Sequence, residues 1–502
     1  MGSLLVIASF LIVAMHDAVR DEVPSLLPAG VVPSWIIAFG VPLGAWLAAH
    51  GLAWVAGREL DRSGRLRIVI RAENMLALVR WFSVLWLWPA LDSGWGALAA
   101  RLVFHAPGLG EVVTIAPVLV TAVLTWWSFA PIDRRLREAV LFRQIADGAP
   151  VFRPPTTGQY IVTNIRHQIL LMLVPITLMH VWSGVSDAVA LARPESGGWL
   201  YAVGAIFIIA AMPWVLRVIW VTTPLGPGPL RTMLLDICRR NRVRLTELLV
   251  WRTHGTTVNA MVTGFVAPAR FMLMSDALLE GLSTREIEAV AGHEVGHIRR
   301  RHLVWLAVFT TFIAAGAMGL VTPLVSALVL PGDAVELGVD VGPEHSSSAI
   351  EWIIIAGVTL AAVMGFGTAS RTFELQADAF AVQDMSRALN ARAPSEPAMQ
   401  RVEAESGVSA GPTASPAAGM VRDEAVDAMQ AALRRVAILN GITPRRFTFR
   451  HGSINQRLLH LQSLRGRPIA ALPIDRRVRR AKWLVVGAIV CVVVISLLSN
   501  VV

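Results

Sequence analysis

The sequence predicts a mainly α-helical, polytopic membrane protein of about nine spans, seven to nine fitting the pattern, with a small α+β domain at one membrane face. Three observations predict it. The chain is 55% hydrophobic over 502 residues, with a mean hydropathy of +0.58, too apolar for a soluble protein of that size. Long apolar runs recur near 3–15, 33–55, 75–97, 112–130, 167–187, 199–222, 303–330, 350–369 and 482–500, and most approach the roughly 20 residues a spanning helix needs. Arginine-rich and arginine-poor segments alternate between them.

The run at 3–15 is short. No basic stretch precedes it and no small-x-small cleavage site follows, so it reads as a retained anchor rather than a signal-peptide core. The 56–73 segment carries Arg58, Arg62, Arg65, Arg67 and Arg71, and the 131–166 segment Arg134, Arg135, Arg137, Arg143, Arg153 and Arg166. Alternating spans put both on the same side as 223–302, which has eleven Arg. On the opposite side, 332–349 has Asp333, Glu336, Asp340 and Glu344 and no Lys or Arg. Arginine excess marks the cytoplasmic side, so the N-terminus, 223–302 and 370–481 are expected there. The same rule accounts for the +10 formal charge without nucleic acid as a partner. Cys238 and Cys491 are the only cysteines, which excludes a disulfide framework and a thiolate metal site. Arg80 and Arg217 fall near span ends and are expected to snorkel; His180 is expected to be packed and hydrogen-bonded.

These signals divide the chain into 1–222, a membrane domain of about six spans; 223–302, an extramembrane segment; 303–369, a transmembrane hairpin; 370–391, a helix; 392–424, a linker rich in Ala, Pro, Ser and Gly; 425–480, the remainder of the extramembrane domain; and 481–502, a last span. Within 223–302, a Pro/Gly breaker run at 224–229 precedes a mixed helical stretch to about 250. Val258–Gly264 and Phe271–Ser275 then read as strands around a turn at Ala267-Pro268. Ser283-Thr-Arg-Glu286 is a capping box.

The helix it opens contains His293-Glu294-Val295-Gly296-His297. Histidines four apart share a helical face and can ligate one metal. Neutral imidazole suits zinc, and Glu294 stands where it can take a proton from activated water. With no Pro or Gly between His297 and Leu303, one helix is expected to run from the motif through Arg299, Arg300, Arg301 and His302 into the span at 303–330. The next span returns to the same side and ends just before Glu374. Glu374 is thereby the expected third ligand of a single Zn2+ per chain, and Asp378, one turn on, is expected to orient a ligating His.

Asn259-Ala260 with Gly264 and Pro268, the run Glu286–His297, Glu374-Leu-Gln-Ala-Asp-Ala-Phe380, and His451-Gly-Ser-Ile-Asn-Gln-Arg457 together resemble the membrane-embedded gluzincin metallopeptidases of family M48, which include the CAAX prenyl proteases and HtpX. The resemblance covers about 223–383 and 445–464, and six preceding spans lean it towards the CAAX type. It implies that His451 stabilises the tetrahedral intermediate beside Glu294 as the second catalytic residue, that Arg457 supports the site, and that Asn259 and Ala260 lie on an edge strand holding an extended substrate. A Gly stands at 452 where the family has Pro. The implied activity is zinc endoproteolysis of membrane-associated or misfolded polypeptides, with the bilayer as the other partner, at the cytoplasmic face of a bacterial inner membrane. A site-2-type intramembrane protease and an inactive scaffold or transporter are the alternatives. The charged flanks Arg285, Glu286, Glu288 and Arg299 speak against the first, and the complete set of ligands and base against the second.

Overall fold

The computed structural model describes residues 2–19, 25–27, 32–104, 106, 108–146, 154–193, 197–253, 255, 257–264, 266–329, 343–392 and 419–499. It forms two compact units, Met1–Thr223 with Trp251–Gly255, and Pro224–Val250 with Thr256–Val502.

The first unit is helical. Four of its helices are long and apolar enough to cross a membrane: Ile36–Ser63, Ala116–Glu138, Thr157–Leu191 and Trp199–Ile219. They fall on the expected runs at 33–55, 112–130, 167–187 and 199–222. Leu4–Ala18 is apolar but shorter. The expected span at 75–97 is not one helix. Leu66–Leu85, Leu87–Asp92 and Trp95–Leu102 replace it. Pro89 has no amide to give the carbonyl four residues back, and that residue, Leu85, is where the first piece stops. Gly94, at φ 91°, separates the other two. Arg80 does not snorkel freely: its Nη1 donates to Thr125 Oγ1 at 3.0 Å. His180 is partly buried and stacked on Phe10.

The second unit holds most of the segments expected outside the membrane. A four-stranded sheet runs in the order β1 (Thr222–Pro224), β2 (Glu247–Trp251), β4 (Phe271–Ser275), β3 (Ala260–Thr263). The expected helical stretch to 250 stops at Arg240, and β2 follows. Its apolar core, Leu248–Trp251, is a short run whose periodicity cannot separate a strand from a helix. β3 and β4 pair antiparallel, Ala260 opposite Met274 and Val262 opposite Met272, around a 3-10 turn at Ala267–Ala269. Gly264 lies at φ 99° there, and a Cβ would stand 2.0 Å from the Ala269 carbonyl oxygen.

Two helices organise this unit. The motif helix, Thr284–Arg299, lies against the glutamate helix, Pro343–Arg392. The latter runs unbroken through the expected boundary at 369/370. The motif helix does not continue into the next apolar helix. It ends at Arg299, Arg301 takes a left-handed conformation at φ 52°, and a new helix begins at His302. The sequence carries no breaker here, because left-handed Arg has no compositional signature. Of the expected span at 303–330, His302–Gly316 is an apolar helix. The expected span at 482–500 lies on the helix Pro473–Ser499, which starts before the expected boundary at 481. Residues 393–418 of the expected linker lie outside the described residues.

The motif and glutamate helices approach closely because glycines face the contact. A Cβ on Gly292 would stand 3.3 Å from Ala381 Cα, and one on Gly296 3.1 Å from Phe380 Cβ. Overpacking such a contact costs about 1–3 kcal/mol. Gly292→Val is therefore expected to lower the thermal unfolding midpoint of the detergent-solubilised protein and to weaken its metal binding. An unchanged midpoint would show that the helices have slack to separate.

Candidate metal centre

The motif helix starts at its capping box: Ser283 Oγ accepts from the Glu286 amide at 3.4 Å, and Glu286 Oε2 accepts from the Ser283 amide at 2.7 Å. With the start of the helix set, the i,i+4 spacing stacks His293 and His297, whose Nε2 atoms are 3.1 Å apart. The glutamate helix brings Glu374 opposite: Oε2 is 3.6 Å from His293 Nε2 and Oε1 is 3.7 Å from His297 Nε2. Among the described residues these three form the one cluster able to hold a metal ion, their ligand atoms all within 4.8 Å of one another. Ligands about 2.0–2.1 Å from a tetrahedral zinc stand about 3.3 Å apart, so the separations fit that ion.

Asp378, without exposed surface, ties the centre together. It sits one turn past Glu374 and accepts from His293 Nδ1 at 2.8 Å, from Arg457 Nε at 2.8 Å and from Arg457 Nη2 at 2.6 Å. An ionised carboxylate only accepts, so His293 donates from Nδ1, and in its neutral form this leaves the Nε2 lone pair facing the site. Burial alone would raise the Asp378 carboxyl; Arg457 reverses this and takes it down to about 2. Arg457 Nη1 also lies 3.3 Å from Glu374 Oε2. Burial likewise opposes the charge on Glu374, and His451 and Arg457 outweigh it, holding that carboxyl well below its ordinary value.

Glu294 points towards the edge of the sheet, where its Oε2 accepts from the Val262 amide at 3.2 Å. Burial pushes its carboxyl up to about 7, with the Glu374 charge adding to the rise and His293 opposing it. A carboxyl titrating near neutrality suits a proton acceptor that must later give the proton back.

The remaining expected residues converge on the same cleft, about 810 Å³ in volume and lined by Asn259, Ala260, Glu294, His451 and Arg457 among others. His451 is half exposed, with Nδ1 3.0 Å from Glu374 Oε1. It is presented by a tight hairpin in which Gly452 N–H donates to the Thr448 carbonyl at 2.9 Å and Thr448 N–H to the Gly452 carbonyl at 3.0 Å. Gly452 has φ 72° and uses its amide, which explains why this turn cannot carry Pro. β3 is the outer strand of the sheet. Asn259 is not open on its backbone: its carbonyl accepts from Ser275 N–H at 2.9 Å and its N–H donates to Ser275 Oγ at 3.0 Å. Alternation along β3 turns Ala260 and Val262 outward, so Val262 belongs with Ala260 on the open edge. The motifs did not single out Val262. Nor do they single out His302, which is buried, with Nδ1 2.9 Å from His297 Nδ1. Its spacing of five from His297 is not a helical neighbour spacing, and only the break at Arg301 turns it back.

Residues 230–464 match the model of peptidase family M48. The chain is 32% identical over 135 residues to a protein named protease HtpX homolog from Polaromonas naphthalenivorans, covering 26% of this chain and 44% of that protein. It is 29% identical over 169 residues to the CAAX prenyl protease 1 homolog of Arabidopsis thaliana, covering 32% of this chain and 38% of that one. The matches thus span less than half the length of these relatives. The crystal structure of S. mikatae Ste24p aligns with 86% of this chain and 100% of its own, at 15% identity and a TM-score of 0.43.

Removing one partner of a buried ion pair costs about 3–5 kcal/mol, because the other charge stays buried. Arg457→Met is therefore expected to lower the unfolding midpoint strongly, and adding Asp378→Asn to recover part of the loss. A single variant that melts with the wild type would remove the pair from the account.

Proposed function

From the M48 peptidase match over residues 230–464, we propose that this protein is a multi-pass membrane metalloendopeptidase that hydrolyses peptide bonds in membrane-associated or misfolded polypeptides. The observation that carries the reading is the convergence of His293, His297 and Glu374 beside Glu294 and an open strand edge. The two imidazoles and the carboxylate would hold one Zn2+ per chain. Bound zinc would supply Lewis acidity, acidifying water and polarising a carbonyl.

The protein groups do the rest. Glu294 takes the proton from the attacking water and passes it to the leaving amine, a role its near-neutral titration suits. The outward amide and carbonyl of Ala260 and the outward carbonyl of Val262, whose amide is engaged by Glu294, hold the substrate as an added strand, recognising backbone whatever the side chains. The Asn259 side chain lines the same cleft. As an imidazolium, His451 would donate from Nδ1 to Glu374 and from Nε2 to the carbonyl oxygen as it gains charge. Asp378 and Arg457 hold His293 and Glu374 in register.

A multi-pass arrangement with this site at the cytoplasmic face of a bacterial inner membrane fits the arginine excess of 223–302. A site-2-type arrangement is disfavoured by Arg285, Glu286, Glu288 and Arg299 on the motif helix. An inactive scaffold would have no use for a buried, proton-accepting Glu294.

Glu294→Gln keeps the ligands and removes the proton acceptor. It is expected to reduce proteolysis by about 10²–10⁴-fold while one zinc per chain stays bound. Mass spectrometry would compare peptides that accumulate with active enzyme and with the variant, and metal analysis would run on the same samples. Undiminished cleavage by the purified variant would refute the mechanism.

A further inference from the structure

His293 and His297 face the metal site with Nε2, yet only His293 has a carboxylate behind it. Behind His297 stands a longer chain. His297 Nδ1 is 2.9 Å from His302 Nδ1; His302 Nε2 is 3.0 Å from Gln376 Oε1; Gln376 Nε2 is 2.7 Å from Asp475 Oδ1. His302, Gln376 and Gln383 are buried. Asp475 is held by two more donors on its other oxygen, Gln383 Nε2 and Arg300 Nη2, both at 2.9 Å. It lies in the first turn of the helix Pro473–Ser499, where a negative charge is favoured by the helix dipole.

The direction of this chain follows from its end. A carboxylate flanked by an arginine has no N–H to give, so the Gln376 nitrogen must face it. The Gln376 oxygen then faces His302, which must donate from Nε2 and is left accepting at Nδ1. His297 must therefore carry its proton on Nδ1, and its Nε2 is a lone pair directed at Glu374 and His293. Reversing any one member reverses the rest and puts a proton on the ligating nitrogen. His293 receives the same instruction from Asp378 in one step.

We infer that Asp475, acting through Gln376 and His302, sets the tautomer and orientation of His297, so that the start of the last helix is part of the metal site. His302, Gln376 and Asp475 are positioning residues in this scheme. It rests on the metallopeptidase reading, and it gives the Pro473–Ser499 helix a task beyond anchoring.

The test uses the full chain in detergent and the zinc dissociation constant, measured by competition with a chromogenic chelator. Asp475→Asn can donate, allowing the chain to run backwards; Gln376→Met interrupts it with a similar volume. Each is expected to weaken zinc binding about 10–100-fold. The double variant should be within about twofold of the weaker single one, because a chain is broken only once. A merely structural role would lower the melting midpoint and leave zinc affinity alone. Single variants within about twofold of wild type in zinc affinity would overturn the inference. Gln376→Met, which leaves Arg300 and Gln383 on Asp475, decides the matter if Asp475→Asn does not fold. A wild type that binds no zinc, or binds it undiminished after His297→Ala, would overturn the metallopeptidase reading itself. Zinc binding lost in His297→Ala but intact in the chain variants would overturn only the relay.

Discussion

The centre depends on a carboxylate that no water reaches. Asp378 accepts from His293 and twice from Arg457, and so binds together the motif helix, the glutamate helix and the helix Ile454–Gln462. These segments are separated by 85 and 79 residues in the chain. An isolated buried charge is costly, and it persists only when paired and hydrogen-bonded. Asp378 meets that condition only if all three segments are in place, and the same packing brings Glu374 to the histidine pair. Glycines at 292 and 296 are the counterpart in backbone terms, since any side chain there would hold the helices apart.

Much of the site was legible because its chemistry is written in helical spacing. The capping box at Ser283, His293 with His297, and Glu374 with Asp378 all follow one-turn arithmetic, and the structure brings His293, His297, Glu374 and Asp378 together. The β3–β4 hairpin was legible from its turn chemistry. His451 and Arg457 were reachable only through resemblance, as their partners lie far away in sequence and no local pattern marks them.

The helix break at Arg300–Arg301 uses a left-handed arginine, a conformation set by tertiary context. That break is what returns His302 to His297. At roughly 100° per residue, five residues on a continuous helix would put His302 about 140° from the ligand face. β2 was misread because a short buried apolar run fits strand and helix alike. The run at 75–97 looked continuous by hydropathy, which does not weigh Pro89 and Gly94. The open edge of β3 needed the register: only pairing with β4 reveals that Ala260 and Val262 face outward while Asn259 is engaged with Ser275.

The account stands on the identity of three ligands. X-ray absorption at the zinc edge of the metal-loaded, full-length protein reads that set directly. The expected spectrum has two imidazole shells and oxygen neighbours at about 2.0–2.2 Å, with no sulfur contribution near 2.3 Å. A three-imidazole spectrum, which would bring His302 or His451 into the ligand set in place of Glu374, or one without imidazole, would contradict it.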